Sequence, residues 1–90
     1  MCRVGVIAIV VNDPSSSIQK VNSLLSDFGN IIVGRLDIPY GKRNVHLISL
    51  MVDGTTDDIG AFTGKLGMIQ DVTVTSNLVK SKATQKEGNE

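Results

Sequence analysis

The sequence predicts an α+β fold: a ferredoxin-like βαββαβ two-layer sandwich with a four-stranded antiparallel sheet. Four stretches show the continuous or alternating apolar pattern of strands. Two further stretches begin with capping residues and place apolar side chains on one helical face. At 90 residues the chain is long enough for one two-layer core and too short for two.

The first strand and first helix follow from residue types. RVGVIAIVVN is almost continuously apolar, which predicts a strand over residues 4–11 that is covered on both faces. Asp13 suits the N-cap of the next helix, Pro14 its first position and Gly29 the C′ position after its end. One face of this helix is apolar and is predicted to cover a core, with Ile18, Val21, Leu24, Leu25 and Phe28.

Three more strands are predicted. NIIVGRLDI and VHLISLMV are joined by PYGKR, a turn rich in Pro and Gly. DVTVTSNLV alternates Val with Thr, as expected for a strand with one face in water. In the βαββαβ order the first and third strands are central and the second and fourth lie at the edges. The two most apolar strands of this sequence occupy the central positions.

We predict one domain over residues 1–79 and a flexible polar tail over residues 80–90, where KSKATQKEGNE has no large apolar side chain. Hydrophobic residues are 41% and charged residues 20% of the chain, as in ordinary soluble domains. No apolar run is long enough to span a membrane, so we expect a cytoplasmic protein without membrane contact. The single cysteine excludes an internal disulfide.

The predicted sheet exposes an apolar face. Two helices can cover only one side of a four-stranded sheet, and the opposite side keeps the aliphatic residues of the central strands. Such a face in water is an association hazard. The formal net charge is zero, which lowers repulsion between copies and gives no basic field for nucleic acid. We therefore predict a homo-oligomer, a dimer or a tetramer.

The segment DGTTDDIGAFTGKLG resembles two kinds of ligand loop but matches neither. A phosphate-binding loop has four residues between its glycines and Ser or Thr after the lysine. Here three residues separate Gly60 from Gly64, and Leu66 follows Lys65. A calcium-binding loop that began at Asp53 would need Glu at its twelfth position, which is Gly64.

A helix explains this segment better. Thr55, Thr56 and Asp57 are suitable N-caps. Gly60, Gly64 and Gly67 fall on one arc, and each glycine inside a helix costs about 1 kcal/mol relative to Ala. The stripe indicates close packing against the sheet or against a neighbouring chain, although Gly67 is also suited simply to end the helix. The alternative is a small ligand that approaches the bare backbone.

No residue set predicts catalysis, a metal centre or a cofactor. His46 is the only histidine, and a mononuclear metal site needs three or four ligands. A site with His46 would therefore have to be built across chains. Cys2 and His46 have no visible orienting partner for nucleophilic chemistry. We expect no enzymatic activity and no cofactor.

NDPSSSIQKVNSLLSDFGNIIVGRLDI resembles the opening of an ACT domain. The family has an Asp-Pro-Gly turn before the helix and a Gly-x-Asn-Ile-type join into the second strand. The matching residues are Asp13, Pro14, Phe28, Gly29, Asn30 and Ile31. Ser15 stands where the family often has Gly at its amino-acid-binding turn. The resemblance implies a ligand-binding turn at residues 12–15, with Asn12, Asp13, Pro14 and Ser15.

Residues 3–79 resemble the iron-only hydrogenase system regulator family, most specifically in DDIGAFTGKLG. That family is ACT-like and is compared with the ligand-binding domain of nickel-responsive regulators. The resemblance implies a non-enzymatic regulatory role tied to hydrogenase expression or assembly. Nickel regulators hold their metal with several His and a Cys, and this chain offers only His46 in its interior. Neither their metal site nor their DNA-binding segment carries over, so we expect no direct nucleic-acid binding.

Two hypotheses remain. The leading one is an oligomeric ACT-like regulatory domain that senses a small molecule or docks on a protein partner. Its expected sensing surface is the turn at residues 12–15 together with a groove between subunits. The alternative is a component of a metal-responsive transcription regulator with an intersubunit metal site that uses His46.

Overall fold

The computed structural model describes residues 2–80, and these residues form the predicted order of elements. The strands are β1 (Cys2–Asn12), β2 (Ile32–Tyr40), β3 (Val45–Thr55) and β4 (Val72–Lys80). The helices are α1 (Pro14–Asp27) and α2 (Thr56–Gly67), with a short 3₁₀ turn at Gly29–Ile31. The βαββαβ prediction is confirmed. Lys80 still belongs to β4, and the rest of the predicted tail lies outside the described residues.

The four strands form one antiparallel sheet in the order β2-β3-β1-β4. This order confirms that the first and third strands are central and that the second and fourth are edges. The register of β1 with β3 runs without interruption from Cys2 opposite Thr55 to Asn12 opposite Val45. A bulge between Ile32 and Gly34 interrupts the pairing of β2 with β3.

The core lies between one face of the sheet and the two helices. It is almost entirely aliphatic, and Phe62 is its largest fully buried side chain. The ring of Phe62 packs at 4.8 Å, centroid to centroid, from the ring of Phe28. Its sheet members are Ile7, Ile9, Val11, Ile48, Leu50 and Val52, and the others are Val21, Leu25, Ile31, Ile59, Phe62 and Leu66. Full burial of such a side chain contributes about 1.5–3 kcal/mol, so this layer accounts for much of the stability.

Both helices begin at their predicted N-cap residues, whereas the end of α1 differs from the prediction. Thr55 Oγ1 accepts a hydrogen bond from the Asp58 N–H at 3.0 Å, as an N-cap does. Asp13 is the N-cap of α1 and has a left-handed backbone, with φ 53°. Gly29 follows the C-cap but does not take the left-handed conformation of a helix-ending glycine, since no described glycine has positive φ. The chain continues from Gly29 into the 3₁₀ turn.

A close approach between backbones occurs in β1. A Cβ added to Gly5 would lie 2.2 Å from the carbonyl oxygen of Asn77 and 2.8 Å from the Cα of Leu78. Both atoms belong to β4, which pairs with β1 at this point. Strands β1 and β4 can therefore pair here only because residue 5 has no side chain.

Candidate functional site

The side of the sheet that faces away from the helices is the most unusual surface of the chain. We call it the outer face. Residues that are partners in the register lie on the same face of a sheet. The outer face therefore consists of the even-numbered residues of β1, which alternate with the buried Ile7, Ile9 and Val11, and of the register partners of those even-numbered residues on the other strands. Except for Met68, all the large apolar side chains that are exposed in residues 2–80 lie on this side: Val6, Val33, Leu36, Ile38, Tyr40, Met51 and Val79. Within one chain, β1 is thus covered on one face only, and the expectation of cover on both faces is not met.

Strand β2 has its apolar residues on the side opposite the helices. Leu36, Ile38 and Tyr40 pair with Ser49, Leu47 and Val45, and they are 58%, 44% and 40% exposed. An edge strand of a monomer normally turns its apolar side toward the core and its polar side to water. The reversed alternation in β2 leaves three large apolar side chains in water, and contiguous exposed apolar side chains of this kind are typical of interaction surfaces.

The opposite side of β2 is polar. Arg35 Nε donates a hydrogen bond to Asp37 Oδ2 at 3.1 Å, and the same guanidinium forms an ion pair with that carboxylate. Arg35 also donates to Asn22 Oδ1 of α1 at 3.4 Å. An exposed pair of this kind is worth about 0–1 kcal/mol. It does not compensate for three apolar side chains in water, so the polar side does not explain the pattern of β2.

An open apolar groove lies at one end of the outer face. Its volume is about 450 Å³, and its lining residues come from β1, β2 and β3: Val4, Gly5, Val6, Val33, Met51, Val52 and Asp53. The bulge before Gly34 exposes Val33 (72%) beside it. The groove can therefore receive apolar side chains or a small apolar molecule.

The charges of the outer face lie at its two ends. Among the strand residues of this face that the structure describes, Asp53 is the sole charged one, and it lies at the groove end. The β2–β3 turn, which contains Lys42 and Arg43, lies at the opposite end of β3. The middle of the face is uncharged and contains the small residues Ala8 and Ser49, which are partners in the register. The face thus has a neutral centre, one acidic end and one basic end.

The predicted ligand-binding turn lies at the start of α1. Asn12 ends β1, Asp13 caps α1, and Pro14 and Ser15 begin its first turn. The Asn12 N–H donates to the Asp71 carbonyl at 2.7 Å, and Asp71 also has a left-handed backbone, with φ 66°. The structure thus brings the four predicted residues together beside the loop that precedes β4. Their role in ligand binding stays a prediction.

The glycine stripe of α2 does not contact the sheet. A Cβ added at Gly60, Gly64 or Gly67 would meet nothing within 4 Å. The helix instead packs on the core through Ile59, Phe62 and Leu66, which are buried on a different arc. The part of the prediction that placed the sheet against these glycines is therefore wrong. Contact with a neighbouring chain stays a prediction.

His46 lies on the helix-facing side of β3, opposite Val11 and Pro39 in the register. Its Nε2 atom is buried and makes no hydrogen bond. Cys2 is exposed at the far end of β1 and lies on the outer face. Over residues 2–80 no three His, Cys, Asp or Glu side chains come together in a way that could hold a metal ion. A metal site that uses His46 across chains stays a prediction.

The family assignment follows from a match over most of the chain. The sequence model of the TM1266-like family, described as "Iron-only hydrogenase system regulator, putative", matches residues 3–76. The chain belongs to the TM1266-like family. The resemblance seen in the sequence is thereby confirmed, and the TM1266-like chain is a member of a family of regulators.

The solved structures that are similar to this TM1266-like chain include two regulators or uncharacterized proteins of comparable length. Uncharacterized protein TM1266 from Thermotoga maritima is 35% identical, with a TM-score of 0.85, over 89% of this chain and 100% of that one. CPII from Thiomonas intermedia K12, a nitrogen regulatory PII-like protein whose structure contains ADP, AMP and bicarbonate, is 13% identical. Its TM-score is 0.45, over 90% of this chain and 98% of that chain. None of the curated proteins matches the sequence.

Two features of the TM1266-like chain were missed by the sequence prediction. The close approach is at Gly5, and a glycine inside an otherwise apolar strand is a signal of this kind. The reversed alternation of β2 is visible as Arg35 and Asp37 between apolar residues, but the sequence does not say which set faces the helices. In the described part of the chain, no helix is long and apolar enough to cross a membrane.

Proposed function

We propose that the chain is a non-enzymatic regulatory domain of an iron-only hydrogenase system whose working unit is a homo-oligomer, a dimer or a tetramer. It senses a small effector or docks on a protein partner. The observation that supports the proposal most strongly is the outer face, with Leu36, Ile38 and Tyr40 in water at an edge strand. Family membership supports the regulatory part.

The energies favour association through this surface. Covering the exposed parts of the large apolar side chains of two copies contributes on the order of 10–20 kcal/mol. Bringing two chains together costs about 4–15 kcal/mol in lost translational and rotational freedom. The apolar surface is therefore large enough to offset that cost, whereas a single apolar residue such as Met68 is not.

We place effector binding at the turn formed by Asn12, Asp13, Pro14 and Ser15. This turn joins a central strand to the start of α1, where the positive end of the helix dipole favours acidic or polar ligand groups. It also contacts the loop before β4 through the 2.7 Å bond from Asn12 to Asp71. A small polar effector such as an amino acid is the class that the resemblance to ACT domains implies for this turn.

Sedimentation equilibrium of the full chain at micromolar concentration tests the assembly. We expect the mass of a dimer or tetramer for the wild type, and dissociation to monomers for Leu36→Ser combined with Ile38→Ser. The control is Met68→Ser, which removes an apolar side chain that is 85% exposed but lies off the outer face. It should assemble as the wild type does. A monomeric wild type overturns the proposal.

A thermal-shift screen with amino acids and nucleotides tests the effector, because a ligand that binds only the folded form raises the unfolding temperature. A shift that Asn12→Ala abolishes supports the turn as the binding site. The exposed control Gln19→Ala, further along α1, should keep the shift. If no compound of either class shifts the wild type, the effector part of the proposal is wrong.

A further inference from the structure

We infer that a second copy of this chain covers the outer face with its strands antiparallel to those of the first. The two-fold axis crosses the strands at the row formed by Leu36, Ser49, Ala8 and Thr75, which are consecutive partners in the register. The inference rests on the proposed function, since it takes the homo-oligomer as given and assigns its interface and orientation.

The charge distribution selects a second copy and its direction. The outer face has a neutral apolar centre, an acidic end at Asp53 and a basic end at Lys42 and Arg43. The outer faces of two copies are therefore complementary in charge only when the strands of the two copies run in opposite directions. With parallel strands the two Asp53 carboxylates would face each other, and so would the two basic turns. Like charges opposite each other disfavour an arrangement and thereby fix the orientation.

The distances along β3 agree with this axis. Ser49 is four residues from Val45 and four from Asp53, which is about 13 Å in each direction at about 3.3 Å per residue. A two-fold axis at Ser49 therefore brings the turn after β2 of one copy to Asp53 of the other. Packed sheets cross at about 30°, which displaces the strand ends sideways by about 7 Å. Lys and Arg side chains are long enough to bridge that displacement.

The side chains on the two sides of the axis are complementary in size. One row from the axis lie Ile38, Leu47 and Val10 in one direction, and Gly34, Met51 and Val6 in the other. The rotation places Ile38 of one copy over Gly34 of the second copy, where no side chain occupies the space. The small pair Ala8 and Ser49 on the axis allows the two sheets to approach.

The groove of about 450 Å³ then has a defined occupant. The rotation directs Ile38 and Tyr40 of one copy toward the Val33 and Met51 side of the other. By symmetry the same contact forms twice. The reversed alternation of β2 and the open groove, which are separate features of one chain, thereby become the two halves of one interface.

Cross-linking of single-cysteine variants tests the arrangement. In a Cys2→Ser background, a short bismaleimide that spans about the 10 Å between packed sheets should link Ser49→Cys to itself. Asp53→Cys alone and Val45→Cys alone should not self-link, because each pair would be separated by about 27 Å along the strands. A mixture of these two variants should link. Thr63→Cys, on the helix side, is the control and should not link.

Charge reversal gives a second measurement. Asp53→Lys should weaken the dimer about two- to thirtyfold, since it removes two surface pairs worth about 0.2–1 kcal/mol each. Adding Lys42→Glu and Arg43→Glu should restore the affinity. Sedimentation equilibrium measures both. Without restoration, the two ends do not meet and the arrangement is wrong.

The outcomes separate the inference from the proposed function. Self-linking of Asp53→Cys indicates parallel strands, and linking of Ser76→Cys on β4 without Ser49→Cys indicates edge-to-edge pairing. Either result overturns the arrangement and leaves an oligomeric regulator. A monomeric wild type overturns both, because another kind of molecule must then cover the outer face.

Discussion

Replacing Gly5 with alanine should strongly destabilise the fold. The added Cβ would lie 2.2 Å from the Asn77 carbonyl oxygen, 2.7 Å from Leu78 Cδ2 and 2.8 Å from Leu78 Cα. Two of these atoms are backbone, so no rotamer change relieves the clash, and β1 must move from β4 by about 1 Å. Overpacking costs about 1–3 kcal/mol, and a weakened ladder hydrogen bond adds about 1 kcal/mol. We expect a loss of about 2–4 kcal/mol in the free energy of unfolding.

Urea unfolding followed by circular dichroism measures this loss, with all samples at one protein concentration because assembly contributes to apparent stability. The matching decrease in unfolding temperature is roughly 10–30 °C for a domain of this size. The control is Gly29→Ala, where the added Cβ meets nothing within 4 Å and φ is not positive. A loss below about 0.5 kcal/mol for Gly5→Ala, or an equal loss in the control, would refute the close approach of β1 and β4.

Substitutions at three further positions test the core packing, the cap of α2 and the bond from α1 to the loop before β4, each by urea unfolding. Phe62→Ala should cost about 3–5 kcal/mol because it empties the centre of the core, and a cost below 1 kcal/mol would show that Phe62 is not buried there. Thr55→Ala should cost about 0.5–2 kcal/mol by removing the cap on the Asp58 N–H, whereas Thr55→Ser should retain most of the stability. Equal losses in the two Thr55 variants would contradict the cap. Ser17→Ala should cost about 1–3 kcal/mol, since it leaves the Gln70 carbonyl without the 2.7 Å hydrogen bond from Ser17 Oγ. An unchanged midpoint would show that water replaces that bond.

The order of elements could be predicted because its signals are local. Pro14 at a first helical position and Thr55 at an N-cap mark the two helix starts. The apolar sequences of β1 and β3 identify these two as the central strands. Because two helices cover only one side of a four-stranded sheet, the same sequences also predict an uncovered apolar face. These signals depend on neighbours within a few residues, which the sequence displays directly.

The features that were not predicted depend on pairing between distant segments. Leu36 and Ile38 lie on the outer face because of the register of β2 with β3 after the bulge at Gly34. No local sequence pattern fixes that register. The requirement for glycine at position 5 comes from its pairing with Leu78, near the other end of the described chain. The glycines of α2 were predicted from their helical cost to pack against the sheet or a neighbouring chain, but Ile59, Phe62 and Leu66 are the residues that pack on the sheet.

The contacts around Asp71 connect the turn at residues 12–15 to an edge of the sheet. The Asn12 N–H holds the Asp71 carbonyl, and Ser17 Oγ holds that of Gln70, each at 2.7 Å. Strand β4 begins at the very next residue, Val72. The end of β1 and the first turn of α1 are therefore hydrogen-bonded directly to the two residues that precede β4. Two hydrogen bonds thus join this corner of the molecule to its border strand.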